Sequence, residues 1–268
     1  MNSPQLLSYT LAPDVTAFST TRHGGASQGN YGEFNINEYC GDEPDAIGKN
    51  RQALASKLDI PETHIIMPHQ THGIEVRQIA ADFMHLPANI QRMVLEGVDA
   101  VMTNMRGVCI GVSTADCIPV LLYDPLHDAV CAVHAGWRGT VARIVMKAVT
   151  EMRLAYGSQP ANLKAVIGPG ISLDAFEVGN EVYEEFANAN FEMEPISRQQ
   201  KVEGTDFEFK WHVDLKECNL RQLLQCGVAA ENIEVSDICT YANAADYFSA
   251  RRLGTNSGRI FSGVMLGR

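Results

Sequence analysis

The sequence predicts a single domain of mixed α/β class over residues 1–268. Three observations lead there. The centre of the chain carries five short apolar runs separated by polar turns, the pattern of buried strands. Stretches on either side place apolar residues at helical spacing, with acids at a start and glycine at an end. No tandem repeat, low-complexity tract or long linker divides the 268 residues, a length that buries a substantial core.

From the N-terminus, residues 15–21 read as a strand that runs into the turn His23-Gly24-Gly25, and residues 42–58 read as a helix with acids early and Lys and Arg later, as the helix dipole favours. The strand-dense centre comprises residues 74–79, 98–103, 108–113, 118–123 and 129–133. Several of these runs are apolar throughout, as expected for strands covered on both faces. The runs 118–123 and 129–133 suit an antiparallel pair joined by the 124–128 turn, which brings Cys117 and His134 towards each other. A long helix is expected next: Val141, Ile144, Val145, Ala148, Val149 and Met152 share one apolar stripe, and Gly157 is its stop. Residues 163–167 form a further strand ending in Gly168-Pro169-Gly170, helices are expected at 181–189 and 214–225, and a last strand at 260–266. The stretch 195–211 is polar and poorly periodic, and is expected to be a loop or an irregular hairpin.

Lys and Arg number 21 against 32 Asp and Glu, a net charge of −11, and no basic run occurs. That balance argues against a nucleic-acid binder, whose surface must neutralise phosphates. An anionic small molecule needs a local positive site instead. No window approaches the roughly 20 apolar residues of a membrane span, and the N-terminal residues lack the basic-then-apolar order of a signal peptide, so a cytoplasmic protein is expected. Seven cysteines, an odd number with no CxxC pair, exclude a complete disulfide framework and argue against a zinc ribbon. Cys109 and Cys131 lie in apolar runs and read as buried small hydrophobes. Cys117, beside Asp116 at the end of a run, stands apart.

Three segments combine metal-competent or nucleophilic side chains with turn residues at predicted strand ends: His69-Gln70-Thr71-His72-Gly73, Thr114-Ala115-Asp116-Cys117 and His134-Ala135-Gly136-Trp137-Arg138-Gly139. Cys and His on facing strand ends, joined by a His from the first loop, leave one position of a tetrahedral Zn2+ open, as in a catalytic site. The metal-free rival makes Cys117 a nucleophile and His134 its base. Six arginines lie in turn-rich segments, Arg22, Arg51, Arg138, Arg251, Arg252 and Arg259; the segments around Arg22 and Arg138 are candidate anion clamps, with pairing to surface acids as the alternative for each arginine. Arg138 also stands near a predicted helix N-terminus. Neither glycine segment matches a Walker loop or a GxGxxG fingerprint, which disfavours an NTPase or a Rossmann dehydrogenase. Asp99 and Asp116 either orient a ligand histidine or face water at strand ends.

Together these segments resemble the YfiH/LACC1 family, once labelled multicopper polyphenol oxidases and also known as peptidoglycan editing factors. The resemblance rests on Thr20-Thr21-Arg22-His23-Gly24-Gly25, Gln70-Thr71-His72-Gly73, Val98-Asp99-Ala100, Thr114-Ala115-Asp116-Cys117, His134-Ala135-Gly136-Trp137-Arg138-Gly139, Phe176-Glu177-Val178-Gly179, Cys239-Thr240-Tyr241 and Gly258-Arg259. It implies an α/β sandwich of mixed sheets similar to a cytotoxic-necrotising-factor catalytic domain. It also implies a Zn2+ site on His72, Cys117 and His134; His69 is not expected as a ligand, and either lines the pocket or binds metal adventitiously. The implied activity is phosphorolysis of purine nucleosides such as adenosine, inosine and 5′-methylthioadenosine, with adenosine deamination as a second reaction. On that reading Asp116 or His69 shuttles a proton, and Arg22 and Arg138 hold phosphate, with Arg51 and Arg251 as further substrate candidates. The expected partners are purine nucleosides and phosphate, and the expected state is a monomer or homodimer. The alternatives are a Cys/His amidase that edits peptidoglycan precursors and a copper (Cu2+) oxidase of phenols. A laccase needs many histidine ligands, and this chain has 8 His.

Overall fold

The apolar runs at the centre of the chain are strands buried on both faces, and the rest of the fold is arranged to cover them. The computed structural model describes residues 3–202 and 208–268. In chain order its strands and α-helices are β1 (Leu6–Ala12), β2 (Val15–Thr20), α1 (Pro44–Leu58), β3 (Ile65–Ile66), β4 (Val76–Gln78), α2 (Ala88–Val94), β5 (Ala100–Thr103), β6 (Cys109–Thr114), β7 (Ile118–Asp124), β8 (Ala129–Ala135), α3 (Trp137–Val141), α4 (Ile144–Tyr156), β9 (Lys164–Ile167), β10 (Glu177–Val178), α5 (Asn180–Asn188), α6 (Met193–Ile196), β11 (Ser197–Lys201), β12 (Phe209–Val213), α7 (Leu215–Cys226), β13 (Ile233–Val235), α8 (Ala250–Leu253) and β14 (Ile260–Leu266). A six-stranded sheet runs β13-β9-β7-β8-β5-β4, a five-stranded sheet runs β1-β2-β14-β6-β3, and β10-β12-β11 form a small third sheet.

Strand alternation divides the side chains of β7 and β8 between two cores. Leu121, Tyr123, Val130 and Ala132 meet Ile110, Val112 and Val264 of the five-stranded sheet, so the two large sheets pack face to face. Val120, Leu122, Cys131 and Val133 point the other way, onto Ile144, Val145, Ala148, Val149 and Met152 of α4 and Leu215, Cys218 and Leu223 of α7. The outer face of the five-stranded sheet, with Phe18, Phe261 and Met265, is covered by Leu54 and Ala55 of α1. The protein is therefore a mixed α/β sandwich with helices on both outer faces, as the resemblance implied.

The antiparallel pairing of β7 and β8 has the expected register, with Ile118 opposite Ala135 and Pro119 opposite His134. The expected long helix is two helices. Ala142 and Arg143 interrupt it, Arg143 taking a left-handed φ of 64°. Its guanidinium lies 3.6 Å from the Phe191 ring centroid and donates to the Ala189 carbonyl, tertiary contacts that outweigh the continuous apolar stripe. Strand β1 was not expected, and it pairs antiparallel with β2. The 195–211 stretch contains the end of α6 and most of the β11–β12 pair, with Ser197 opposite Val213 and Lys201 opposite Phe209; residues 203–207 lie outside the described residues. No helix is long and apolar enough to cross a membrane among the described residues.

Candidate functional site

The site stands at one end of the layer between the two large sheets. Asp99, Thr114 and His134 share strand parity with Val101, Val112 and Ala132, whose side chains fill that layer, so all three point into its open end.

Asp99, fully buried, organises the centre. Its Oδ1 accepts Nδ1–H of His134 at 2.7 Å and the His72 amide at 3.0 Å, and its Oδ2 accepts the amides of Gly73 at 2.7 Å and Thr71 at 3.2 Å. Burial opposes ionisation, but the His134 ring and these amides outweigh it and hold the Asp99 carboxyl below its ordinary range. The bonds also wrap the 71–73 loop around the carboxylate and hold His72 at a left-handed φ of 62°. Gln70 ties the same loop to β6 as a strand would, donating Nε2–H to the Ser113 carbonyl at 2.8 Å and accepting the Ser113 amide at 2.7 Å.

With Nδ1 of His134 committed to Asp99, Nε2 is left for the cleft. One donor atom each from His72, Cys117 and His134 lies within 4.8 Å of the other two. The His72 and His134 rings meet edge to face, with centroids 4.9 Å apart. Burial pushes the Cys117 thiol up, but His134 and His72 beside it bring it down to about 6. Burial likewise lowers His134, and the Cys117 thiolate and Asp99 reverse that and raise it to about 9. Gly136 leaves room for this cluster: a Cβ there would sit 2.9 Å from His72 Cδ2 and 3.1 Å from Cys117 Sγ. A thiolate and two imidazoles around a space that glycine keeps open are a donor set that fits one tetrahedral ion with a free position.

The donors line a cleft of about 210 Å3 together with Asn37, Gln70, Ser113, Thr114, Tyr39, His69 and Arg259. His69 stacks on Tyr39 at a centroid distance of 4.0 Å, and its Nδ1 contacts both Glu96 oxygens at 2.8 and 2.9 Å.

The other residues singled out in the sequence lie off this cleft. Asp116, at a left-handed φ of 87°, is buried, and both carboxylate oxygens are taken, Oδ1 by the Thr240 hydroxyl and Oδ2 by the Arg251 amide, each at 2.7 Å. It therefore anchors the start of α8 and the loop before it. Arg22 spends its guanidinium on the carbonyls of Gly32 and Ala244, at 2.8 and 2.7 Å, and stacks over Phe248. Arg51 reaches Glu62 and the Ile65 carbonyl from α1. Arg251 donates to the Glu177 carbonyl and lies over Phe176. Arg138, exposed and stacked on Trp137 at 4.3 Å, makes no hydrogen bond with its guanidinium among the described residues. Gly136 and Thr114 belong to segments that the sequence singles out, and Arg259 is one of the arginines in turn-rich segments, but clearance and the packing of distant strands, which decide what each does at the cleft, leave no local pattern.

Residues 16–267 match the family model described as multi-copper polyphenol oxidoreductase laccase. The chain belongs to this family. Its relatives in the laccase-named family include a purine nucleoside phosphorylase of Bacteroides thetaiotaomicron, 43% identical over 94% of this chain and 92% of the relative. Another is adenosine deaminase RL5 from an unknown prokaryotic organism, 41% identical over 93% of each chain. The solved structure of the Bacillus licheniformis hypothetical protein YfiH superposes with a TM-score of 0.87 at 28% identity, covering 98% of this chain and 97% of that one. Despite the family description, His72, Cys117 and His134 are the only group of three His, Cys, Asp or Glu able to hold a metal among the described residues.

Proposed function

We propose that the chain is a zinc-dependent purine nucleoside phosphorylase that converts adenosine, inosine and 5′-methylthioadenosine with phosphate to base and ribose 1-phosphate, or the 5′-methylthio analogue, and that it also deaminates adenosine. The observation that carries this reading is the open His72–Cys117–His134 donor set in a chain 43% identical to one named purine nucleoside phosphorylase and 41% identical to one named adenosine deaminase. Bound zinc supplies Lewis acidity at the end of the cleft. Asp99 keeps His134 in the tautomer that presents Nε2 and keeps the 71–73 amides turned inward. His69, its Nδ1 held by Glu96, presents Nε2 for moving a proton to or from the purine. Asp116 acts as a positioning residue through Thr240 and Arg251. Arg138, with no guanidinium hydrogen bond among the described residues, is available to an anion from its position off the cleft. Seven free cysteines suit a reducing, cytoplasmic setting, with the protein as a monomer or homodimer.

Product analysis of adenosine tests the reading. Adenine and ribose 1-phosphate are expected only with phosphate, inosine and ammonia without it, and neither from Cys117→Ala. Failure of the zinc-loaded wild type to form either product set overturns it.

The thiolate character of Cys117 beside His134 favours a second reading, a Cys/His amidase acting on peptidoglycan precursors. A covalent adduct on Cys117 formed during turnover, with a rate indifferent to chelators, would establish that reading in place of the first.

A further inference from the structure

In a chain of net charge −11, the cleft at His72, Cys117 and His134 is lined by no aspartate or glutamate among the described residues. The only Lys or Arg on its wall among the described residues is Arg259, immediately before β14. Its backbone amide is fixed by the Asn35 Oδ1 at 3.1 Å. Its guanidinium is anchored from one side: Nη1 donates to the Ser257 and Gly258 carbonyls, and Nη2 donates to the Thr255 carbonyl at 2.8 Å. Among the described residues Nε has no hydrogen-bond partner and Nη2 has one, so the Nε–Nη2 edge keeps donor capacity for an oxygen of a phosphate or carboxylate. Beside it in the five-stranded sheet, Thr114 pairs with Ile260, the residue after Arg259. Thr114 is 1% exposed, lines the same cleft, and its hydroxyl has no hydrogen-bond partner. A buried hydroxyl left unpaired costs stability unless something else meets it.

We propose that Arg259 and Thr114 form the phosphate subsite of the cleft, Arg259 by its Nε–Nη2 edge and Thr114 by its hydroxyl. This rests on the phosphorylase reading and names the group that receives its second substrate. A phosphate oxygen held there attacks C1′ of the ribose. The C1′–N9 bond breaks with its electron pair going to the purine, the C1′–O bond of ribose 1-phosphate forms, and the proton of hydrogenphosphate ends on the purine nitrogen. A cleft of about 210 Å3 is below the roughly 300 Å3 at which pockets enclose a drug-sized ligand, so it holds the reacting end while the rest of the nucleoside extends outward.

The test is titration of the zinc-loaded protein with inorganic phosphate by calorimetry, alongside ribose 1-phosphate formation. Arg259→Gln is expected to weaken phosphate binding at least about tenfold, the scale of a lost charge-assisted pair, with partial recovery in Arg259→Lys. Thr114→Val is expected to weaken it about fivefold while the melting temperature of the ligand-free protein holds or rises, because the hydroxyl has no protein bond to lose. A purely structural role would lower that temperature. Phosphate binding within twofold of wild type in either Arg259→Gln or Thr114→Val overturns the proposal, as does loss in Arg138→Ala alone. If wild type forms ribose 1-phosphate while Arg259→Gln binds phosphate normally, this proposal falls and the phosphorylase reading stands. If wild type neither binds phosphate nor forms ribose 1-phosphate, both fall.

Discussion

Asp99 grips His134 twice: its carboxylate accepts the ring Nδ1–H at 2.7 Å and its backbone carbonyl accepts the His134 amide at 2.8 Å. The ring is therefore fixed in both position and tautomer from one neighbouring strand position. Asp99→Asn keeps one acceptor where two receive four bonds, and brings in an NH2 that cannot accept from the 71–73 amides. Zinc affinity is expected to fall about 10–100-fold, the usual cost of removing a carboxylate behind a metal-ligating histidine. A chromophoric chelator competition measures it, with far-UV circular dichroism confirming the fold.

In the metal-free protein, Cys117 becomes a thiolate as pH rises through about 6 because His134 and His72 favour its charge against burial. Alkylation of Cys117 by iodoacetamide is expected to be slow below that pH and to rise through it. In His134→Ala the inflection moves upward, since burial then acts with less opposition. An unmoved inflection would show that His134 does not hold the thiolate.

Gly136→Ala is a clearance test. Its backbone, at φ −69° and ψ 167°, accepts alanine without strain, yet the new methyl would enter the space between His72 and Cys117. Metal affinity is expected to drop at least about tenfold, a loss of donor geometry of the kind that accompanies disturbed supporting residues. The melting temperature of the metal-free protein should change little. Equal metal affinity in wild type and variant would mean that the donors move apart at no cost.

Arg22 holds two backbone carbonyls and stacks on a buried phenylalanine, so its main contribution is to stability. Arg22→Ala is expected to cost about 1–3 kcal/mol in urea unfolding, the range for bonds to a charged group with their carbonyls left unpaired. A change under about 0.5 kcal/mol would place those carbonyls in contact with water.

A single donor triad among the described residues implies about one metal ion per chain, where a multicopper oxidase needs several centres. Elemental analysis of protein purified without added metal is expected to give one ion per chain, and chelation should abolish nucleoside turnover until zinc is restored. Several copper ions per chain would contradict the triad as the sole centre.

The sequence alone determined the features that depend on local pattern. Unbroken apolar runs in β7 and β8 announced strands buried on both faces, and the short 124–128 turn made their hairpin, and with it the approach of Cys117 to His134, legible from spacing. Other features have no local signal. The break at Arg143 follows from Phe191 and Ala189, 46 to 48 residues away, and no stripe of apolar residues foretells it. Asp99 and Asp116 looked alike as strand-end acids, and only the packed sheets turned one towards His134 and the other towards Thr240 and Arg251. The arginines divide in the same way: Arg22 lies among turn glycines as an anion clamp would, yet tertiary carbonyls consume it, whereas Arg259 reaches the cleft because β14 pairs with β6 across about 150 residues of chain. Composition and periodicity set which segments become strands and which helices. Which polar side chains meet at the open end of the inter-sheet layer is decided by the pairing of distant strands, since partner, distance and burial exist only once those strands have packed.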